Sequence, residues 1–290
     1  MKILVACEES QACCIAFREH GHDSYSCDIL PCSGGHTEWH IQGNVLPLLN
    51  EKWDIIIAFP PCTYLCSSGM HWTTRGLRDP KLTEDAKKFV LEIWNADCPR
   101  IAIENPIGAL SKTLRKPDQI IQPWMFGENA SKQTCLWLKG LPILQSTNII
   151  PPKGFQNVVY AGDLPLCECC EEPWCELHQK HYSDCDCYGP TQDDLRYVTI
   201  NKYEFACDMA FVGKPVWENQ TPSGQNKLGP SQDRAMLRAK TYPGIAAAIA
   251  EQFGSHVLCS GSPAQNTVEI CHTAPNSASM QNAQVELDLL

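Results

Sequence analysis

The stretch WDIIIAFPPC, residues 53–62, is the strongest constraint on the fold. Its short unbroken apolar run predicts a strand covered on both faces, as in a parallel sheet. Pro60 and Pro61 then remove two backbone donors and fix two φ angles, so the strand ends there and Cys62 rides on a stiff turn. KILVACEES predicts an earlier strand, followed by Ser10 as a helix N-cap and a helix, QACCIAFREHGH, that Gly21 ends. DSYSCDIL predicts a strand with Asp28 at its end, and PRIAIENP and KQTCLWLKGLP predict two more. Before PRIAIENP, a helical pattern puts Ala86, Phe89, Val90, Ile93 and Trp94 on one face. Strands alternating with helices predict an α/β fold with a doubly wound, mostly parallel sheet, whose ligands bind beyond the carboxyl ends of the strands. Glu8, Asp28, Cys62 and Glu104 all fall at such ends.

The 290 residues suit one domain with an inserted module and a tail. A net charge of −10 argues against nucleic acid as a partner until it is divided along the chain. Residues 163–194 hold nine acids and one lysine, and residues 254–290 hold three acids and no base, which leaves the rest near neutral. The acidity therefore belongs to two attachments and does not exclude DNA. Glu8 and Glu9 interrupt the N-terminal apolar run and no stretch is long enough to span a bilayer, so a soluble, cytoplasmic protein with no membrane partner is expected.

Six of the 18 cysteines lie within residues 167–187. Cys167, Cys169, Cys170, Cys175, Cys185 and Cys187, with His178 and His181, supply eight soft or borderline ligands. Tetrahedral zinc takes four, so this cluster predicts one or two zinc ions in a small insertion, and its acidity predicts a structural or protein-binding role. DNA contact is expected instead from the following segment, where Arg196, Lys202, Lys214, Trp217, Lys227, Arg234, Arg238 and Lys240 mix bases with an aromatic. Residues 254–290, poor in core-forming side chains, predict a disordered tail.

With PPC closing one strand and ENP the next, the chain resembles the cytosine-5 DNA methyltransferase family, in particular its compact phage-type members, over roughly residues 1–140 and 230–253. The resemblance implies a Rossmann-like methyltransferase fold that binds S-adenosylmethionine, and a DNA substrate whose cytosine is flipped into a pocket. It implies a catalytic core over 1–145, a variable target-recognition region over 146–230 carrying the zinc module at 163–194, and a C-terminal helix over 231–253 completing the core. Cys62 becomes the thiol that adds to carbon 6 of cytosine, and Glu104 the acid at ring nitrogen 3. Cofactor contacts are implied for Cys7, Glu8, Asp28, Asn44 and Pro60, and substrate contacts for Asn105, Lys132 and Thr134. TYPGIAAAIA resembles the family's last motif.

Two departures keep alternatives open. The loop CEESQ has no glycine where the family's loop is glycine-rich, and SKQTC offers Lys132 or Thr134 where the family uses an arginine. A catalytically weak, zinc-bearing module that keeps the fold, or an enzyme altering a pyrimidine in another way or as a free nucleotide, also fits these residues. The last seven residues, QVELDLL, resemble the short peptides by which bacterial replication proteins dock on the sliding clamp. Gln284, Leu287, Leu289 and Leu290 would be the anchors.

Overall fold

The computed structural model describes residues 1–152, 159–160, 174–175, 180–181, 196–200, 203–207, 217–221, 226–229, 231, 237 and 240–260. Its centre is a seven-stranded sheet of β1 (Lys2–Ala6), β2 (Asp23–Asp28), β3 (His40–Gln42), β4 (Ile55–Ala58), β5 (Ile101–Asn105), β6 (Gln119–Ile121) and β7 (Thr134–Lys139). Their order is β3-β2-β1-β4-β5-β7-β6. The first five strands run parallel, and β7 lies antiparallel between β5 and β6. This is a mixed α/β fold compatible with the Rossmann-like architecture.

Strand periodicity divides the core. Ile3, Val5, Ile55 and Ile57 face a cluster that includes Phe17 of α1 (Ala12–Glu19) and Ile245, Ile249 and Phe253 of a C-terminal helix. Leu4, Ala6, Ile56, Ala58, Ile101 and Ile103 face the other side, against Val90 and Ile93. With apolar cover on both faces, the central strands need unbroken apolar runs, which is what their sequences carry.

The remaining helices of the sheet domain are α2 (Ser67–Thr74), α3 (Pro80–Trp94), α4 (Leu110–Thr113) and α5 (Pro243–Ser260). The apolar stripe expected of α3 is the face that packs: Val90 and Ile93 are buried, and Ala86, Phe89 and Trp94 lie against the same cluster. Asp79 caps α3 by accepting from Lys81 N at 2.9 Å, and Pro80 starts it. Among the described residues no helix is long and apolar enough to cross a membrane.

Two expectations change. Ser10 does not cap α1; the Glu8 carboxylate does, accepting from Cys13 N at 2.7 Å and Cys14 N at 3.1 Å. The C-terminal helix does not stop at Gly254 but runs on to Ser260. A Cβ at position 254 would lie 2.5 Å from His22 Nε2, so this glycine permits close packing and does not end the helix. Strands β3 and β6, only three residues each, carry too little pattern to be read.

Beyond the main sheet, β8 (Val159–Tyr160), β11 (Arg196–Ile200) and β12 (Tyr203–Cys207) form a three-stranded antiparallel sheet. Between them, β9 (Trp174–Cys175) and β10 (Lys180–His181) pair as a ribbon in which Lys180 opposes Cys175. This ribbon contains the backbone of two expected zinc ligands, Cys175 and His181. The other six, Cys167, Cys169, Cys170, His178, Cys185 and Cys187, lie outside the described residues, as do Gln284, Leu287, Leu289 and Leu290.

Candidate functional site

Strand order reverses between β1 and β4, so their carboxyl ends open the crevice where ligands of such sheets bind. The PPC turn leaves β4 at this edge. Pro60 is buried and Pro61 exposed, and half-buried Cys62 follows. The Cys62 carbonyl accepts from Leu65 N at 3.0 Å and Cys66 N at 2.9 Å, and buried Leu65 pins the turn to the core. Burial, then the nearby Cys66 and Glu104, pushes the Cys62 thiol above its ordinary pKa, and Lys132 draws it back.

Glu104 is the fourth residue of β5 and pairs with Leu136 of β7. Because β7 runs antiparallel, its first residue, Thr134, and the preceding Lys132 come to the carboxyl end of β5. Lys132 Nζ stands 4.0 Å from Glu104 Oε1, with the carboxylate side chain only 18% exposed. Burial raises the Glu104 carboxyl, while Lys132 and a hydrogen bond from Thr134 lower it. Four residues singled out in three separate sequence segments, Cys62, Glu104, Lys132 and Thr134, thus lie together at the carboxyl edge of the sheet.

Along the same edge, the loop after β1 takes two left-handed turns without glycine, at Cys7 and Gln11, each with φ 60°. Such a conformation costs an ordinary residue roughly 1–2 kcal/mol, and here hydrogen bonds offset it. Cys7 N donates to Cys27 O at 2.7 Å; the Gln11 amide donates to His36 O at 2.8 Å and accepts from His36 N at 3.1 Å. The loop therefore follows a glycine-like path with a different set of ties. Burial and the neighbouring Asp28 push the Cys7 thiol up to about 12.

Glu8 is 3% exposed, and both its oxygens are engaged by the α1 N-terminus, so it shapes the loop from below. Asp28 ends β2, with Oδ1 holding Leu30 N at 2.9 Å. Asn44 is exposed, two residues past β3, and its Oδ1 accepts from Leu46 N at 3.1 Å. Asn105, expected among the substrate contacts, is 1% exposed and donates from Nδ2 to Pro60 O at 2.8 Å.

Of the basic and aromatic residues expected to meet DNA, Trp217 is placed differently. It is 3% exposed and stacks on Trp124 at 5.4 Å between ring centroids, so it is a core residue. Lys227 and Lys240 are exposed; Arg196 is described only by its backbone, and Lys202, Lys214, Arg234 and Arg238 lie outside the described residues.

Several supporting residues escaped the sequence reading. Arg78 Nη1 donates to Thr63 O at 3.1 Å, and its guanidinium lies 4.9 Å from the Tyr64 ring, bracing the turn that carries Cys62. Asn219 Oδ1 accepts from Ser131 N at 3.0 Å and its amide donates to Ser131 O at 2.9 Å, next to Lys132. Gln122 Oε1 accepts from Lys132 N at 2.9 Å. None has a local signal, because each acts on a distant segment. No protein-family model matches this chain, and none of the curated proteins compared with it matches significantly.

Proposed function

We propose that this chain is a cytosine-5 DNA methyltransferase that works through a covalent cysteine adduct. The observation that carries this reading is the convergence of Cys62, Glu104 and Lys132 at the carboxyl edge of the sheet. Carbon 5 of cytosine is a poor nucleophile, and a thiolate bonded to carbon 6 turns it into an enamine carbon. A carboxyl buried as Glu104 is keeps its proton more readily than one in water, which suits it to hydrogen-bond ring nitrogen 3 and neutralise the charge that addition creates. Lys132 and Thr134 flank that carboxyl and offer donors to the base. Loss of the carbon 5 proton with departure of the Cys62 sulfur from carbon 6 restores the ring and the thiolate.

The edge residues fit S-adenosylmethionine. The left-handed turns at Cys7 and Gln11 let backbone of the loop approach a ligand, Asp28 offers a carboxylate to a ribose diol, and Asn44 lies further along the edge for the adenine. With Pro60 these residues would hold the cofactor, which supplies a sulfonium methyl as the electrophile for carbon 5.

Nucleoside mass analysis of DNA from cells expressing wild type and Cys62→Ala tests the proposal. 5-Methylcytosine is expected with wild type alone. Its absence from cells making folded wild-type protein would overturn the reading, and another added mass would redirect it to a different transferred group.

A further inference from the structure

The two motif turns at this edge are joined to each other, and the join is asymmetric about Cys62. Downstream of the thiol it is dense. Ala109 N donates to Leu65 O at 2.7 Å, Ser67 N to Ile107 O at 3.1 Å, and Ser67 Oγ to the same carbonyl at 3.0 Å. Cys66 and Gly108 form an isolated antiparallel bridge. A Cβ at position 108 would lie 2.0 Å from Leu65 O, so only glycine permits this approach.

Upstream, the chemistry is sparse. Pro60 and Pro61 have no N–H to donate, so the turn cannot tie itself back through its own backbone. The tie to the Glu104 turn on this side is the 2.8 Å bond from Asn105 Nδ2 to Pro60 O, which is buried. The other end of the same amide, Asn105 Oδ1, is buried with no hydrogen-bond partner among the described residues. A buried acceptor left unpaired costs roughly 1–3 kcal/mol, so local stability alone does not favour an amide here. The gain lies in the single donor it aims at Pro60.

We propose that Asn105 is a positioning residue for Cys62: by holding Pro60 from the residue next to Glu104, it fixes the thiol relative to the carboxyl before substrate arrives. The role in catalysis rests on Cys62 being the nucleophile, whereas the restraint on the turn does not. Cys62 hangs between two anchored points, Pro60 and Leu65. Loss of the first frees the thiol to swing on the second.

Asn105→Asp tests this, because an aspartate presents an oxygen to the Pro60 carbonyl and can donate to it only when protonated. The first readout is trapping of the Cys62 adduct on DNA containing 5-fluorocytosine. At about pH 8 the variant is expected to trap at least about tenfold more slowly than wild type, with the gap narrowing toward about pH 6 as the carboxyl gains its proton. The second readout needs no methyl transfer: iodoacetamide labelling of Cys62 in substrate-free protein, read by mass spectrometry against half-buried Cys32 in the same molecule. Because an added carboxylate also opposes ionisation of the thiol, as Glu104 does, the labelling is read in Asn105→Leu as well, which removes the donor without adding charge. Cys62 labelling relative to Cys32 is expected to rise above wild type in Asn105→Leu at about pH 8 and to be lower in Asn105→Asp than in Asn105→Leu. A folded Asn105→Leu whose labelling ratio and trapping rate match wild type would overturn the proposal. A changed labelling ratio with no adduct even in wild type would uphold the restraint and count against the methyltransferase reading.

Discussion

Lys132 Nζ and Glu104 Oε1 face each other at 4.0 Å across the antiparallel β5 and β7 pair, and both act on the Cys62 thiol. Once ionised, the carboxylate opposes ionisation of the thiol, and the ammonium favours it. Thiol reactivity and catalysis therefore respond differently when either partner is removed.

Replacing Glu104 by glutamine deletes the opposing charge. Cys62 should ionise more easily, so its alkylation by iodoacetamide should speed up in Glu104→Gln. Turnover should fall by roughly 100-fold to 10,000-fold, because the ring nitrogen loses its acid. If alkylation slows, Glu104 does not oppose the thiol; if turnover survives, it does not hold the assigned role as the acid.

Lys132→Met removes the cation that lowers both acids. The Cys62 and Glu104 pKa values should both rise, since Lys132 favours the charged form of each. The limb of the pH–rate profile that climbs as the thiol ionises should move to higher pH. A limb that stays in place or moves to lower pH would show that Lys132 does not act on the thiol.

The parallel sheet was legible because buried strands need apolar runs such as IIIA in β4 and IAI in β5, and the stops after them are made of proline and acid. Cys62 and Glu104 were legible for the same reason, since each closes such a run. What escaped was what depends on contact between distant segments. The cap on α1 comes from Glu8, buried below the loop, where Ser10 had the right chemistry but not the position. The two left-handed residues, Cys7 and Gln11, carry no glycine to announce them and are held by β2 and the loop before β3. Trp217 read as a surface aromatic because its polar neighbours gave no sign of Trp124 beneath it.

Trp217 makes a further test. Its ring is parallel to Trp124 within 5° and buried in the cluster that also holds the C-terminal helix. Trp217→Ala should cost about 3–5 kcal/mol of stability, measured as a fall in the denaturant midpoint. A loss below about 1 kcal/mol would contradict the core placement.

The cysteine cluster carries its own prediction from ligand chemistry. Protein purified without chelator should contain at least about one zinc per chain, and stripping the metal should lower the thermal midpoint. Metal analysis finding no zinc, or an unchanged midpoint after stripping, would argue against the module.

Glu8 gives a pH dependence of definite sign. Its carboxyl is raised from the ordinary 4.5 to about 7, chiefly by burial and slightly by Glu9, although N–H groups of Cys13 and Cys14 favour the charged form. The native state therefore binds a proton that the unfolded chain releases, so this residue's contribution to stability is full below about pH 4.5 and falls as pH rises to about 7. The loss amounts to something on the order of 3 kcal/mol. Glu8→Gln removes the titration but turns an amide N–H toward one of the two helix donors, a penalty that does not change with pH. What diagnoses the buried carboxyl is thus the change in the gap between wild type and variant: the variant should gain on wild type between about pH 5 and about pH 8 in denaturant titrations. A gap that stays constant, or that widens in favour of wild type as pH rises, would mean that the carboxylate is charged throughout and that the α1 N-terminus outweighs the cost of its burial.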